Sequence, residues 1–194
     1  MLDEKKLSEA GKRNAMRIKA GEIIKEEKGR FVQFFLSNAK NSFESAKLLF
    51  EASTNEKLKE NLGFSDFNGF LWAINASYYS MFYMARALLE KEGVKIKTEL
   101  SIHSVTFDAL VYYFYLTGKL EKKLIEEFAE AEEESMETLG KQKARGLIED
   151  YFHEKRKRAK FTYEIGEVAM KEKAGTSLER AKRFNEEIRK ILEM

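Results

Sequence analysis

The sequence predicts an all-α protein, an up-and-down bundle of four to five core helices with an N-terminal helical arm, and three observations carry that prediction. Proline is absent from the 194 residues, where average usage would supply about ten. Helices exclude proline, which lacks the amide hydrogen and clashes with the preceding turn, whereas β-proteins recruit it into their turns. Lys, Glu, Leu, Ala and Met, all good helix formers, dominate what remains. Apolar residues also recur with the three–four spacing of a single helix face over several stretches.

Residues 1–29 form the arm. They are strongly charged, with sparse apolar positions at Leu7, Ala10, Met16, Ile18, Ile23 and Ile24, and they read as a surface helix, or two, weakened by Gly11 and Gly21. Residues 30–194 form the bundle. Its first helix runs from about Arg30 to Ala52, where Phe31, Phe34, Phe35, Ala39, Ser42, Phe43, Ala46, Leu49 and Phe50 mark one buried face. Ser53 to Asp66 is polar and reads as an irregular connection. An uncharged helix follows from about Asp66 to Glu92, with Gly93 as the residue that stops it. Thr98 or Ser101 caps the next helix, which reaches about Leu116 and is closed by Gly118. A long helical region from Leu120 to about Ile165 opens on an acidic surface (Glu126, Glu127, Glu130, Glu132, Glu133, Glu134, Glu137), with Gly140 and Gly146 as points of division. The last helix starts at the capping box Thr176-Ser177-Leu178-Glu179 and ends near Met194.

Composition excludes several classes of function. With 35 basic and 33 acidic side chains the net charge is +2, so there is no whole-protein pull toward polyanions, although a local basic patch remains open. The absence of cysteine removes disulfides, thiolate metal sites and a cysteine nucleophile. The stretch from Phe67 to Ala85 carries no charge, but Asn68, Asn75, Ser77, Ser80 and three tyrosines make it a helix buried within a bundle rather than a membrane span. The start, Met1-Leu2-Asp3-Glu4-Lys5-Lys6, lacks the apolar core of a signal peptide, and the expected compartment is the cytoplasm.

Signatures of catalysis are sparse. The glycines are scattered, so no glycine-rich phosphate loop can be drawn, and no two histidines share a helix at metal-binding spacing. The acidic cluster lacks the Glu-x-x-His pairs of a di-metal bundle and reads as a solvated face; no metal or cofactor is expected. His103, in Ser101-Ile102-His103-Ser104-Val105, reads as a structural hydrogen-bonding residue. His153 lies just before the run Lys155-Arg156-Lys157-Arg158-Ala159-Lys160, which places five cations in six residues. Such a run suits local contact with a polyanion or a solvated helix face. Phe161 and Tyr163, directly after it, suit either stacking on a base or anchoring the helix in the core.

The order of these motifs resembles the HEPN family of small helical-bundle proteins. Phe35-Leu36-Ser37-Asn38-Ala39-Lys40-Asn41-Ser42-Phe43-Glu44-Ser45-Ala46-Lys47-Leu48-Leu49 is similar to the family's opening helix. Ala76-Ser77-Tyr78-Tyr79-Ser80-Met81-Phe82-Tyr83-Met84-Ala85-Arg86-Ala87-Leu88-Leu89 resembles its Tyr-Tyr-Ala-x-Phe-x-Ala-Ala-Arg-Ala-Leu-Leu helix. Gly93, Lys97-Thr98, His103-Ser104 and Phe114-Tyr115-Leu116-Thr117-Gly118 echo the connection seen in an uncharacterised bacterial and archaeal branch. The resemblance spans roughly Phe31 to Leu192. Active members carry an Arg, then a His four to six positions on, often a Tyr two beyond, and two copies meet in a dimer to build a metal-independent RNA-cleaving site. Here Arg156 and Tyr163 match in place, but Phe161 stands at the histidine position, and phenylalanine cannot transfer a proton.

The resemblance therefore implies a homodimeric, non-catalytic binding module that contacts RNA, a nucleotide or a partner nucleotidyltransferase, in a context like that of toxin–antitoxin pairs. Arg156, Arg158, Lys160 and Tyr163 are the candidate contacts. The competing reading is a metal-independent endoribonuclease in which His103 or His153 substitutes for the missing histidine. A third is a scaffold whose acidic insertion, around Glu130 to Ile148, meets a basic partner.

Overall fold

Helix α4 (Phe70–Lys91) organises the molecule. The computed structural model describes residues 3–26, 29–97, 101–151 and 159–193. Around α4 stand α2 (Val32–Thr54), α6 (Lys122–Tyr151) and α7 (Ala159–Glu193), with α5 (Ile102–Leu110) across one end. This is the all-α helical bundle expected. Its core runs along α4, through Tyr78, Met81, Met84, Leu88 and Leu89, to Phe114, Phe128 and Phe184 on the neighbouring elements. Each fully buried Leu or Met contributes about 2 kcal/mol as apolar surface leaves water. Within the described residues, no helix is long and apolar enough to cross a membrane.

Two of the polar residues inside α4, Asn75 and Ser80, are matched by its neighbours. The Asn75 amide donates to the Leu71 carbonyl at 2.8 Å and accepts the Ser135 hydroxyl of α6 at 2.6 Å. The Ser80 hydroxyl donates to the Ala39 carbonyl of α2 at 2.8 Å and accepts from the Asn185 amide of α7 at 2.7 Å. A buried polar group left alone costs about 1–3 kcal/mol, so these bonds fix which residues of the four helices lie opposite one another. Gly93 ends the helix at φ +74°, a backbone conformation that glycine adopts without steric cost.

The N-terminal arm is part of the same core. Helix α1 (Glu4–Lys19) is a single helix that continues through Gly11, and Leu7, Ala10 and Ile23 are fully buried in the main cluster. A Cβ at Gly11 would lie 2.7 Å from Leu116 Cδ1, so the glycine expected to weaken the helix instead allows its close approach. Two short strands absent from the expectation, β1 (Ile23–Lys25) and β2 (Val94–Ile96), pair antiparallel with Ile23 opposite Ile96. Their β-branched residues suit a pleated ribbon. Asp108 of α5 is fully buried and completes the attachment. It accepts from Arg13 Nε at 3.0 Å and Arg13 Nη2 at 2.6 Å, and it also pairs with Arg17.

Several local expectations are corrected. The connection after α2 contains a short helix, α3 (Glu56–Leu62), because the Asn55 side chain caps it by accepting from the Leu58 amide at 3.1 Å. The helix after Ser101 passes into a π-helical turn at Val111–Tyr115, and the Ser101 side chain makes no capping bond. Helix α6 runs through Gly140 and Gly146 without division as far as Tyr151, and the remainder of the helical region expected to about Ile165 includes residues 152–158, which lie outside the described residues. Thr176-Ser177-Leu178-Glu179 lies in the middle of α7, not at a helix start. The Thr176 hydroxyl donates back to the Glu172 carbonyl at 3.0 Å, and the Ser177 hydroxyl donates across to Glu134 of α6 at 2.8 Å. A capping box needs free amides at its start, and a continuous helix has none there.

Two outcomes test this architecture. Thr176→Ala should leave stability within about 0.5 kcal/mol of the parent, since a mid-helix threonine is no cap, whereas loss of a true N-cap would cost about 1 kcal/mol. Asp108→Asn should lower stability by about 3 kcal/mol, because two guanidiniums lose their buried partner. In a thermal melt that is a fall in Tm of roughly 6–12 °C.

Candidate functional site

Three of the sequence-predicted contacts, Arg156, Arg158 and His153, lie outside the described residues. Lys160 and Tyr163 fall on the opening turns of α7, where the backbone alone is described. His103 is described in full. It sits in the first turn of α5 and faces α4 across a group of aromatic rings.

His103 Nδ1 is 2.7 Å from Tyr78 Oη. Its ring lies 4.5 Å from Phe82, 5.5 Å from Tyr78 and 5.8 Å from Tyr79, centroid to centroid. Burial disfavours the imidazolium and pushes the His103 pKa below its ordinary value. Burial also pushes the Tyr78 phenol well up, helped by the charge of Glu132 and by Tyr79, so the phenol stays protonated. The neutral imidazole and the phenol share one hydrogen bond: Tyr78 Oη–H donates to an unprotonated Nδ1, or Nδ1–H donates to the phenol oxygen, according to the tautomer. Among the described residues His103 has no carboxylate partner. It offers the second ring nitrogen, Nε2, and a ring face.

The same corner contains the open face of α4. Between Ala73 and Glu90 the positions that are not buried are Ala76, Tyr79, Tyr83 and Arg86. Their spacing places them on one stripe of the helix, and Trp72, 51% exposed, extends it by one turn. Tyr79 is 39% exposed. On the α2 side, Phe35 stacks on Tyr83 at 6.5 Å and meets Phe34 edge-on at 5.4 Å. On the α5 side, Tyr79 meets His103 edge-on, and Tyr79 and Tyr83 are 6.2 Å apart. The sequence pattern assigns Phe31 and Phe34 to the buried face of α2, but they are 44% and 59% exposed. The face α2 turns to the core is centred on Ala39 and Ala46, whose small side chains let the helices approach closely.

Cations border these rings without matching anions. The Arg86 guanidinium lies 5.0 Å from the Phe35 ring centroid, and burial lowers its pKa against the opposing influence of Glu90. Arg30 lies 5.1 Å from the Phe31 ring centroid. Neither arginine has an ion pair among the described residues. Glu90 is engaged through Oε1, which accepts from the Phe31 amide at 2.9 Å and pairs with Lys95.

The acidic surface of α6 is different from its sequence reading. Glu127 pairs with Arg183 at 2.6 Å and Glu134 with Arg180 at 2.9 Å, so part of the cluster is an ion-pair seam between α6 and α7 rather than a solvated face. Burial pushes the Glu132 carboxyl up, with the nearby Asp108 adding to the shift. No group of three or more His, Cys, Asp or Glu is placed to share a metal ion among the described residues. Comparison with protein-family models, with curated proteins and with solved structures gives no match for this chain.

The sequence analysis singled out His103 but not its partner Tyr78, nor Tyr79, Tyr83 and Arg86 as an exposed stripe. The signal was present in the uncharged helix, as the 72, 76, 79, 83, 86 spacing, yet periodicity alone does not say which stripe of such a helix lacks a neighbour. The state assigned to His103 has a measurable consequence. Its NMR titration midpoint should fall below the ordinary value of about 6.5. Since the unfolded chain then binds the proton more readily, stability should drop as the pH is lowered through about 6.5 toward the folded-state value. His103→Gln should remove that part of the slope.

Proposed function

We propose that this chain is a HEPN-like, homodimeric binding module that holds RNA or a nucleotide without cleaving it, with a nucleotidyltransferase as its partner in a toxin–antitoxin-like pair. The observation that carries the non-catalytic part is the setting of His103. Its imidazole is neutral, tied through Nδ1 to a phenol that burial keeps protonated, and packed against aromatic rings. Metal-independent cleavage of RNA needs one group to take a proton from the attacking hydroxyl and another to give one to the leaving oxygen. His103 stands among rings, and apart from the Tyr78 phenol, which burial keeps protonated, no acid or base is paired to it among the described residues. Phe161 at the family's histidine position removes the usual supplier.

The binding part rests on charge. The run from Lys155 to Lys160 concentrates cations on a chain whose net charge is +2, and Arg156, Arg158, Lys160 and Tyr163 are its assigned contacts. Phosphate neutralisation by such a run releases counterions and makes affinity fall with salt. The wild-type protein should bind RNA and leave it uncut on denaturing gels, with or without a chelator. Replacing Arg156 and Arg158 by alanine should weaken binding severalfold and reduce the salt slope by about 1 per lost phosphate contact. Cleavage that persists with chelator and disappears in His103→Ala or His153→Ala would establish the endoribonuclease instead.

A further inference from the structure

We propose that the open stripe of α4, together with Phe34 and Phe35 of α2, is a stacking ledge for the unpaired bases of single-stranded RNA. The inference rests on the RNA-binding reading above and assigns the bases a place that the basic run does not supply. Its basis is the combination of rings and unpaired cations on one surface. Tyr79, Tyr83 and Phe35 form a chain of rings with neighbouring centroids 6.2 and 6.5 Å apart, bordered by the exposed Phe34. His103 closes one end of the chain and Arg86 the other. Any base presents a π-face to such rings, so stacking there is tolerant of sequence. His103 Nε2 adds one hydrogen-bonding atom at the edge.

The cations decide between occupants. Arg30 and Arg86 lack ion pairs among the described residues, and the buried Glu90, whose charge reaches Arg86, is already held through Oε1 by Lys95 and the Phe31 amide. The surface is thus short of negative charge, which a phosphate backbone supplies. A second copy of this chain would meet the ledge through a two-fold axis, placing the same patch on itself. The exposed Arg30 and the partly buried Arg86 of each copy would then lose water with no carboxylate gained, an unfavourable exchange. Duplex RNA fits poorly as well, because its base faces are stacked within the helix and only edges, sugars and phosphates are accessible.

The test uses the full chain and a short fluorescein-labelled RNA without self-complementarity, free or annealed to its complement. Trp72 is the only tryptophan and lies seven residues before Tyr79, about 10 Å along the helix, so it reports on the ledge directly. Its fluorescence should be quenched by the single strand and little changed by the duplex. Phe34→Ala combined with Tyr79→Ala replaces two exposed side chains, and circular dichroism should show the fold intact. Affinity for the single strand should fall at least about tenfold, in line with loss of base stacking, while Tyr79→Phe should retain it.

Unchanged affinity in the double variant, with RNA still bound, would overturn the ledge and leave the RNA-binding reading standing. No binding by the wild-type protein would overturn both. Equal affinity for duplex and single strand would also overturn the ledge. So would a wild-type dimer that the double variant converts to a monomer in sedimentation, since the face would then be an interface between copies.

Discussion

Burial of α4 is the constraint on which the rest of the structure depends. A helix that carries no charged side chain from its start until Arg86 cannot stand at a surface, and four other helices are arranged to cover it. The cover has to satisfy more than apolar groups. Asn75 and Ser80 find partners on α2, α6 and α7, and these bonds set the helix registers as packing alone would not. What the cover leaves open is then the informative part. Tyr79, Tyr83 and Arg86 are exposed to a degree because α2 and α5 flank that stripe without closing over it.

Two buried carboxylates hold the edges of this opening. Glu90 of α4 accepts from the backbone at the start of α2 and pairs with Lys95 of β2. It thereby fixes where Phe31, Phe34 and Phe35 emerge. Asp108 of α5 is gripped by Arg13 and Arg17 of α1, and α1 is further joined to the α4–α5 connection through the β1–β2 ribbon. This assembly fixes the helix that carries His103. The N-terminal segment thus bears on the candidate site although it contributes none of its residues: it braces α5 from behind.

The near-neutral composition conceals a sorting of charge. On the α6–α7 side, glutamates and arginines pair across the helices and cancel locally. On the α4 face, aromatic rings lie beside two arginines that have no ion pair among the described residues, and Glu90 is already paired with Lys95. A net charge is a sum over the whole chain and carries no information about such sorting. The paired seam looks structural; the unpaired face is where an anion with flat rings attached would find both kinds of partner.

The all-α class was legible in the sequence, since the missing proline and the helical spacing are local properties that each segment expresses alone. The approximate extents of α2 and α4 and the stop at Gly93 follow from the same kind of local signal. The Thr176 capping box misled because its pattern is local while its outcome is not: packing of α7 along α4 and α6 keeps the helix continuous through it. The β1–β2 ribbon joins residues about seventy positions apart in sequence, and three-residue strands leave no periodic trace. Phe31 and Phe34 carry the apolar character of core residues, yet their position beyond the reach of α4 is set by the angle and register of two helices. His103 was visible as a residue, but its state comes from Tyr78 and Phe82 of another helix. Charge pairing, burial and the choice of exposed stripe are relations between segments, so only the tertiary structure decided them.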